Sequence, residues 1–449
     1  MGQKIDRTYL FERMPVGQAV RRQIIPSIAS QMVILLYNLA DTYFVGLLND
    51  ASQTAAVSLA YSVTLLMTAL ANLFAVGGAG RIAQLLGRRD RDGAREVCAV
   101  SFWFALLASA AFCVLFTLLS SPILRLCGAT DETYALACGY SRWVISVGGT
   151  FSILNTVLAN LIRADGSAFA ASMGVSAGGI INMLLDPLFV LPRFLGMGAE
   201  GAGLATAISN TAGMLILLGI IAARRRVGVV ALRPGDLRAA RRHIGRILRI
   251  GLPSAVQFLL TLVAVGALTK FMSLYDTAAV AALGIVKKLD MLPLYFSIGV
   301  ANGLLPLLAY NYSAGNHERR HRIFLCGCAV AVGFSVVCAA GYEVFAPALV
   351  RIFIGDAQTI AYGTKLLRIM VLAMPMMSVC YPMITQFQAM GRMRESLICS
   401  ILRKGSLDIP LLFVLNALFP LYGCAAVQPI VDCICMIVAI YFYKKLPTA

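Results

Sequence analysis

Long apolar stretches recur along the whole chain and predict helices that span a membrane. Four of them contain no Asp, Glu, Lys or Arg: 51–80, 97–124, 201–223 and 369–391. About 20 apolar residues in a helix are enough to cross the hydrocarbon layer. Open β-sheets cannot span lipid because every backbone amide must be paired internally, and a barrel would need short alternating segments. The pattern predicts an all-α, polytopic membrane protein.

Twelve segments have this character, and we number them as predicted helices 1 to 12. They cover approximately 23–48, 53–80, 97–120, 134–163, 168–192, 199–222, 250–274, 278–311, 323–346, 360–390, 396–419 and 421–443. An even number of spans predicts that both ends of the chain lie on the same side of the membrane.

Basic residues are concentrated in alternate connections, which predicts the orientation. One set of loops and tails holds 27 Lys and Arg residues, whereas the opposite set holds only Arg125, Arg193 and Arg351. Cytoplasmic connections carry the excess of positive charge. We therefore expect a multi-pass protein of the bacterial cytoplasmic (inner) membrane with both termini in the cytoplasm. The net charge of +17 is spread over short loops, so we expect no nucleic-acid partner.

The two halves of the chain resemble each other. Pro26-Ser27 matches Pro253-Ser254, Gly166 matches Gly391 and Gly201 matches Gly423, all with offsets between 222 and 228 residues. Parallel repeats of this kind are a transporter architecture, with the substrate path between them. We predict two six-helix bundles related by a pseudo-twofold axis along the membrane normal. The predicted domains are an N-terminal lobe (1–222), a basic cytoplasmic linker (223–249) and a C-terminal lobe (250–449).

Two runs carry a resemblance to a known family. PSIASQMVILLYNLADTYFVGLL (26–48) and LLPLLAYNYSAGNHER (304–319) resemble signatures of the multidrug and toxic compound extrusion (MATE) family, in particular its branch of small bacterial multidrug exporters. The resemblance extends from about residue 15 to 443. It implies an antiporter that exports small organic, often cationic, compounds while H⁺ or Na⁺ enters, with two bundles rocking around a central cavity. We expect a monomer whose other partners are membrane lipids.

Two acids fall inside predicted helices. Asp41 lies in predicted helix 1 and Asp186 in predicted helix 5, which runs in the same direction, so the two are expected at comparable depth. An ionisable group inside the bilayer is a functional candidate by default. Two carboxylates held close cannot both ionise cheaply, so one would keep a proton near neutral pH. The same oxygens would also suit Na⁺. The resemblance assigns the cation-coupling role to Asp41, Asn182, Asp186, Asn155 and Thr206.

A second group is predicted to bind substrate or act in gating. Its members are Tyr37, Asn38, Lys288, Asp290, Met377 and Gln257. Methionine adapts to varied ligand shapes, and aromatic rings such as those of Tyr37 and Tyr140 can contact organic cations. Lys288 and Asp290 are two residues apart and cannot pair on one helix. In the family's Na⁺-binding branch helices 7 and 10 carry acids, whereas predicted helix 10 of this chain contains no Asp or Glu. The resemblance therefore does not imply a Na⁺ site in the C-terminal lobe.

The sequence offers no support for an enzyme. All three histidines fall in predicted loops, and the chain has no P-loop motif. Without a P-loop, an ion gradient is the expected energy source, and no cofactor is expected beyond H⁺ or Na⁺. The alternative is a flippase of a lipid or lipid-linked sugar from the same superfamily, which would need a more cationic cavity. Arg142, Lys270, Lys287 and Lys288 keep that alternative open.

Overall fold

The computed structural model describes residues 7–48, 50–126 and 129–446. Within these ranges the chain forms helices and connecting turns and no β-strand. The N-terminal half contains the helices α1 Val16–Gly46, α2 Ala51–Gly87, α3 Arg91–Leu126, α4 Asp131–Ser141, α5 Gly149–Ala164, α6 Ala168–Val190 and α7 Gly198–Arg224. The C-terminal half contains α8 Ala240–Met272, α9 Thr277–Ser313, α10 His317–Arg351, α11 Ala357–Met370, α12 Ala373–Ala389, α13 Met393–Ile401, α14 Asp408–Leu418 and α15 Tyr422–Lys444.

All twelve predicted segments coincide with helical structure. In the described part of the chain, nine helices are long and apolar enough to cross a membrane by themselves. The bent pairs α4–α5 and α11–α12, with angles of 48° and 45°, raise this number to eleven. The remaining predicted span consists of α13 and α14, joined by a π-helical turn at Leu402–Ser406. Lys404 has non-helical dihedral angles (φ −134°, ψ 17°), which explains the break.

The basic linker differs in detail from the prediction. Helix α7 continues to Arg224, and α8 begins at Ala240 after a short 3₁₀ turn at Pro234–Ala239. Residues 240–249 therefore extend a membrane helix by about three turns. The lobe boundaries at 222 and 250 stay a prediction.

The two halves meet through two equivalent helix pairs. Helix α1 packs on α9, and α2 packs on α8. Because the match of Pro26 with Pro253 makes α8 the counterpart of α1, and α9 the counterpart of α2, these pairs are one contact repeated about the pseudo-twofold axis. We refer to the bundle α1–α7 as the N-lobe and to α8–α15 as the C-lobe.

Glycines allow the backbones to approach closely where the lobes meet. A Cβ atom at Gly251 of α8 would lie 1.8 Å from the carbonyl oxygen of Leu73, and one at Gly77 of α2 would lie 2.2 Å from that of Ile247. The obstacle is backbone in both cases, so a side chain cannot fit unless the helices separate. Small residues at helix interfaces serve this purpose in membrane proteins.

Replacing Gly251 by Ala is therefore expected to destabilise the protein. Overpacking at a close contact costs about 1–3 kcal/mol. The measurement is the thermal unfolding midpoint of the purified variant in detergent. Gly266→Ala is the matched control, because Gly266 lies on the same helix and a Cβ there would meet no atom within 4 Å. Equal midpoints for the two variants would contradict the close packing of α2 and α8.

Both described ends of the chain lie at one face of the bundle, where α9 ends and α10 begins; we call it the terminal face. Phe11 stacks on Tyr310 near the end of α9, with ring centroids 4.6 Å apart, and Tyr443 stacks on Phe324 of α10 at 4.9 Å. The lobes are joined towards this face. Gln84 of α2, three residues before that helix ends, donates to the carbonyl oxygen of Ala389 at 2.9 Å.

Candidate functional site

The two intramembrane acids lie in the interior of the N-lobe. Asp41 is on α1 and Asp186 on α6, and these helices pack against each other. The side chain of Asp41 is 8% exposed and that of Asp186 is fully buried. The two carboxylates are close enough to act electrostatically on each other. The predicted proximity of the two acids is therefore present in the structure.

Amide and hydroxyl groups surround these carboxylates. The Asn182 Nδ2 group donates to Asp186 Oδ1 and to Thr206 Oγ1, both at 3.3 Å. The Tyr140 hydroxyl donates to Asp41 Oδ2 at 3.5 Å. Asn182 precedes Asp186 by four residues, so both side chains project from the same face of α6. These contacts tie α1, α4, α6 and α7 together around one point.

Three buried oxygens of this cluster have no hydrogen-bond partner among the described residues: Asp41 Oδ1, Asp186 Oδ2 and Asn182 Oδ1. The same holds for Oδ1 of Asn155 on α5. Buried polar atoms are normally paired, so several orphaned acceptors in one place need an explanation. The side chains that act on the two carboxylates are the carboxylates themselves, Asn182 and Tyr140, and among the described residues they include no Lys or Arg. Such a group of oxygens with negative charge suits a proton or a small hard cation.

The structure brings together most of the residues predicted for cation coupling. Four of them, which we call the N-lobe cluster, lie in contact with one another: Asp41, Asn182, Asp186 and Thr206. Asn155 is connected to it indirectly, because its Nδ2 group donates to Asn210 Oδ1 at 3.4 Å. Their role in transport stays a prediction.

The residues predicted for substrate binding or gating are distributed over both lobes. Tyr37 lies within electrostatic range of Asp41 and Asp186 and so belongs to the N-lobe cluster. Asn38 instead donates to the Tyr295 hydroxyl of α9 at 3.4 Å, across the contact between the lobes. The other members lie in the C-lobe: Gln257 on α8, Lys288 and Asp290 on α9, and Met377 on α12.

Two contributors to the N-lobe cluster were missed or assigned a different role. Asn210 was not predicted, although its Nδ2 group donates to the Thr206 carbonyl oxygen at 3.0 Å and it also binds Asn155. Its spacing of four residues from Thr206 on one helix was the available signal. Tyr140 was considered for its ring, whereas its hydroxyl makes the contact with Asp41.

Comparison with known proteins gives a family match in both lobes. The family model MatE matches residues 26–188 and again residues 253–414. A curated relative is the multidrug export protein MepA of Staphylococcus aureus (strain NCTC 8325 / PS 47), which is 29% identical over 437 residues. That alignment covers 97% of this chain and 95% of the relative.

Solved structures agree with this match over nearly the whole length. The crystal structure of MATE in complex with MaL6 superimposes with a TM-score of 0.91 at 25% identity, covering 98% of both chains. A structure described as the outward-facing conformation of a multidrug resistance MATE family transporter of the MOP superfamily gives 0.90 at 24% identity, again over 98% of each chain. The similarity therefore includes both lobes and their arrangement.

Proposed function

The chain belongs to the MATE family of transporters, and from this premise we propose that it is a secondary active antiporter, exporting organic compounds in exchange for H⁺ or Na⁺. It is a multi-pass membrane transporter and not an enzyme. Its relatives in Staphylococcus are named multidrug export proteins, which supports a role in multidrug efflux. The observation that carries the ion-exchange part of the proposal is the set of unpartnered oxygens around Asp41 and Asp186.

A bound cation would resolve the electrostatic problem of the N-lobe cluster. No described Lys or Arg acts on the two carboxylates. Such a pair is unfavourable inside a low-dielectric bundle unless it takes up positive charge. A proton on either acid, or Na⁺ held by carboxylate and amide oxygens, supplies that charge. Releasing the cation restores the unfavourable state, so loading and unloading change the energy of the bundle. That is the property an ion-coupled step requires.

The proposed substrates are amphipathic organic cations. The carboxylates of the N-lobe cluster lie within electrostatic range of Tyr37, and an aromatic ring combined with carboxylates attracts organic cations. The flippase alternative would need excess positive charge, yet Lys287 and Lys404 are balanced by Asp290, Asp408 and Asp432. This neutralisation favours drug export over the transport of lipid-linked phosphates.

The proposed cycle follows from where the lobes touch. We assign the terminal face to the cytoplasm because the basic loops lie on that side. The lobes are joined near this face, so the described arrangement is closed towards the cytoplasm. In this state Asp41 and Asp186 take up H⁺ or Na⁺ from outside and drug affinity falls. After the drug leaves, the lobes rock and the cation is released inside; reciprocal coupling requires each ligand to weaken the other's binding.

Everted membrane vesicles test the proposal directly. In everted vesicles the cytoplasmic face of the membrane points outward, so export by this protein appears as uptake. An imposed H⁺ or Na⁺ gradient is expected to drive uptake of ethidium or tetraphenylphosphonium into the vesicles. Vesicles without this protein are the control, and the two gradients are imposed separately to identify the ion. Uptake that is the same with and without either gradient would reject antiport.

A further inference from the structure

The N-lobe cluster has a counterpart in the C-lobe that is visible in the sequence. Residues 185–191 read LDPLFVL, and residues 407–415 read LDIPLLFVL, which is the same string with two inserted residues. The match pairs Asp186 with Asp408. Four residues before each acid, it pairs Asn182 with Lys404.

The helices that follow, α7 in the N-lobe and α15 in the C-lobe, also match. The match of Gly201 with Gly423 pairs Thr206 with Gln428, and a hydrogen bond is repeated with it. Asn182 Nδ2 donates to Thr206 Oγ1 at 3.3 Å, and Lys404 Nζ donates to Gln428 Oε1 at 2.6 Å. The two lobes therefore share this contact in three dimensions as well as in sequence.

A cavity in the C-lobe lies where the counterparts of Tyr37, Asn38 and Asp41 would be. The match of Pro26 with Pro253 pairs Tyr37 with Ala264, Asn38 with Val265 and Asp41 with Leu268. All three C-lobe residues line a cavity, together with the charged or polar side chains of Lys287, Lys404, Asp408 and Gln428. The cavity thus lies where the N-lobe carries a tyrosine, an asparagine and one of its two acids.

We call the cavity and the charged side chains around Asp408 and Lys404 the C-lobe site. Its charge differs from that of the N-lobe cluster. Asp408 is 6% exposed and its Oδ2 atom has no hydrogen-bond partner. The charged group that acts on it most is Lys404; the others are Asp432, Arg403 and Lys287. With Asp290, which acts on Lys287, the cluster holds three cations and three carboxylates. Among the residues that the structure describes, the N-lobe cluster holds two carboxylates and no cation.

We propose that the C-lobe site is a monovalent-cation site whose cation is the tethered ammonium group of Lys404. The inference rests on the proposed function, since it assigns ion exchange to the N-lobe alone. An ammonium at the position of Asn182 supplies the charge that the N-lobe must take from solution. It stays attached to the chain, so it is neither released nor exchanged when the lobes rock. Each molecule then exchanges its coupling ion through one site.

Replacing Lys404 by Asn tests the proposal, because it gives the C-lobe the N-lobe residue and leaves the cluster with one excess negative charge. The experiment uses the full chain with Asp41→Asn, which disables the N-lobe site, and compares thermal unfolding midpoints in sodium chloride and in choline chloride at equal ionic strength. Lys404→Asn is expected to gain a sodium-dependent rise of about 2–4 °C. Lys404→Arg keeps the tethered charge and is expected to show no such rise. Adding Asp408→Asn to Lys404→Asn is expected to remove it.

Two results would overturn the proposal. One is a Lys404→Asn protein whose midpoint is the same in both salts. The other is a protein with Lys404 intact that shows sodium-dependent stabilisation abolished by Asp408→Asn. If Lys404→Asn is too unstable for a midpoint, size-exclusion profiles in the two salts replace it. A monodisperse peak in sodium alone supports the proposal, and aggregation in both salts contradicts it. Drug export is not the readout, so failure of antiport in the vesicle assay is a separate outcome.

Discussion

Asp186→Asn is expected to reduce drug export by at least about tenfold while the protein still reaches the membrane in normal amount. Asparagine keeps the shape and the contact with Asn182 but cannot carry the negative charge that attracts a proton or Na⁺. Coupling free energies of about 1–3 kcal/mol correspond to factors of about 5 to 150 in affinity. Losing the charge removes that coupling. The measurement is ethidium efflux from cells, normalised to the protein level on an immunoblot.

The control for this variant is Asp92→Asn. Asp92 is exposed, and within the described part of the chain it pairs only with Arg95 one turn away on α3, so its charge lies outside the bundle. Pairs of this kind contribute about 0–1 kcal/mol. We expect this variant to export ethidium at the rate of the unmodified protein. Undiminished export by Asp186→Asn would remove this carboxylate from the coupling site.

Arg403→Met is expected to lower the free energy of unfolding by about 3–5 kcal/mol. Arg403 Nε lies 2.8 Å from Asp432 Oδ1, and both side chains are almost completely buried, at 1% and 0% exposure. Removing the guanidinium leaves the Asp432 carboxylate buried with Gln428 as its remaining hydrogen-bond donor. The thermal unfolding midpoint in detergent measures the loss.

Two further variants show whether the buried charge is the cause. Arg403→Met combined with Asp432→Leu removes both charges and is expected to recover most of the stability, since apolar replacement of a buried pair is often neutral. Arg322→Ala breaks the exposed pair with Glu318, whose side chains are 67% and 79% exposed, and is expected to have little effect. A double variant as unstable as Arg403→Met would show that packing, rather than charge, dominates.

The architecture was predictable because the bilayer imposes it on the sequence. Only helices satisfy their backbone within one segment of lipid-spanning length, so apolar stretches translate directly into spans. The repeat followed from short matches such as Pro26 with Pro253, and the equivalent pairs α1–α9 and α2–α8 agree with it. Helix ends were less predictable. The extension of α8 back to Ala240 passes through basic residues that hydropathy assigns to a loop.

The N-lobe cluster was predictable because charge inside a membrane is costly and therefore conspicuous. Asp41 and Asp186 stood out in apolar surroundings, and spacing along α6 added Asn182. The partners of these groups were harder to predict. Tyr140 reaches the cluster from α4, and no local pattern reports such a contact between helices. Asn210 lies one turn from Thr206 on α7, but its contact with Asn155 of α5 is again one between helices.

The C-lobe cluster shows why some chemistry stays hidden in a sequence. Asp408 lies close in sequence to Arg403 and Lys404. The hydrogen bonds of these two cations go to another helix, however: Arg403 donates to Asp432, 29 residues away, and Lys404 donates to Gln428. The two-residue insertion before LFVL and the break at Leu402–Ser406 obscure the relation to α6 until the contacts are compared.

Drug binding to the purified protein at varied pH and Na⁺ concentration tests the central claim that the N-lobe acids exchange a cation against drug. Tetraphenylphosphonium affinity is expected to rise as pH increases or Na⁺ is withdrawn, because an unloaded pair of carboxylates favours the organic cation. In a variant carrying both Asp41→Asn and Asp186→Asn, the affinity is expected to be the same at every pH and Na⁺ concentration. An unmodified protein that binds drug equally under all these conditions, or a double variant that keeps the full dependence, would contradict the claim.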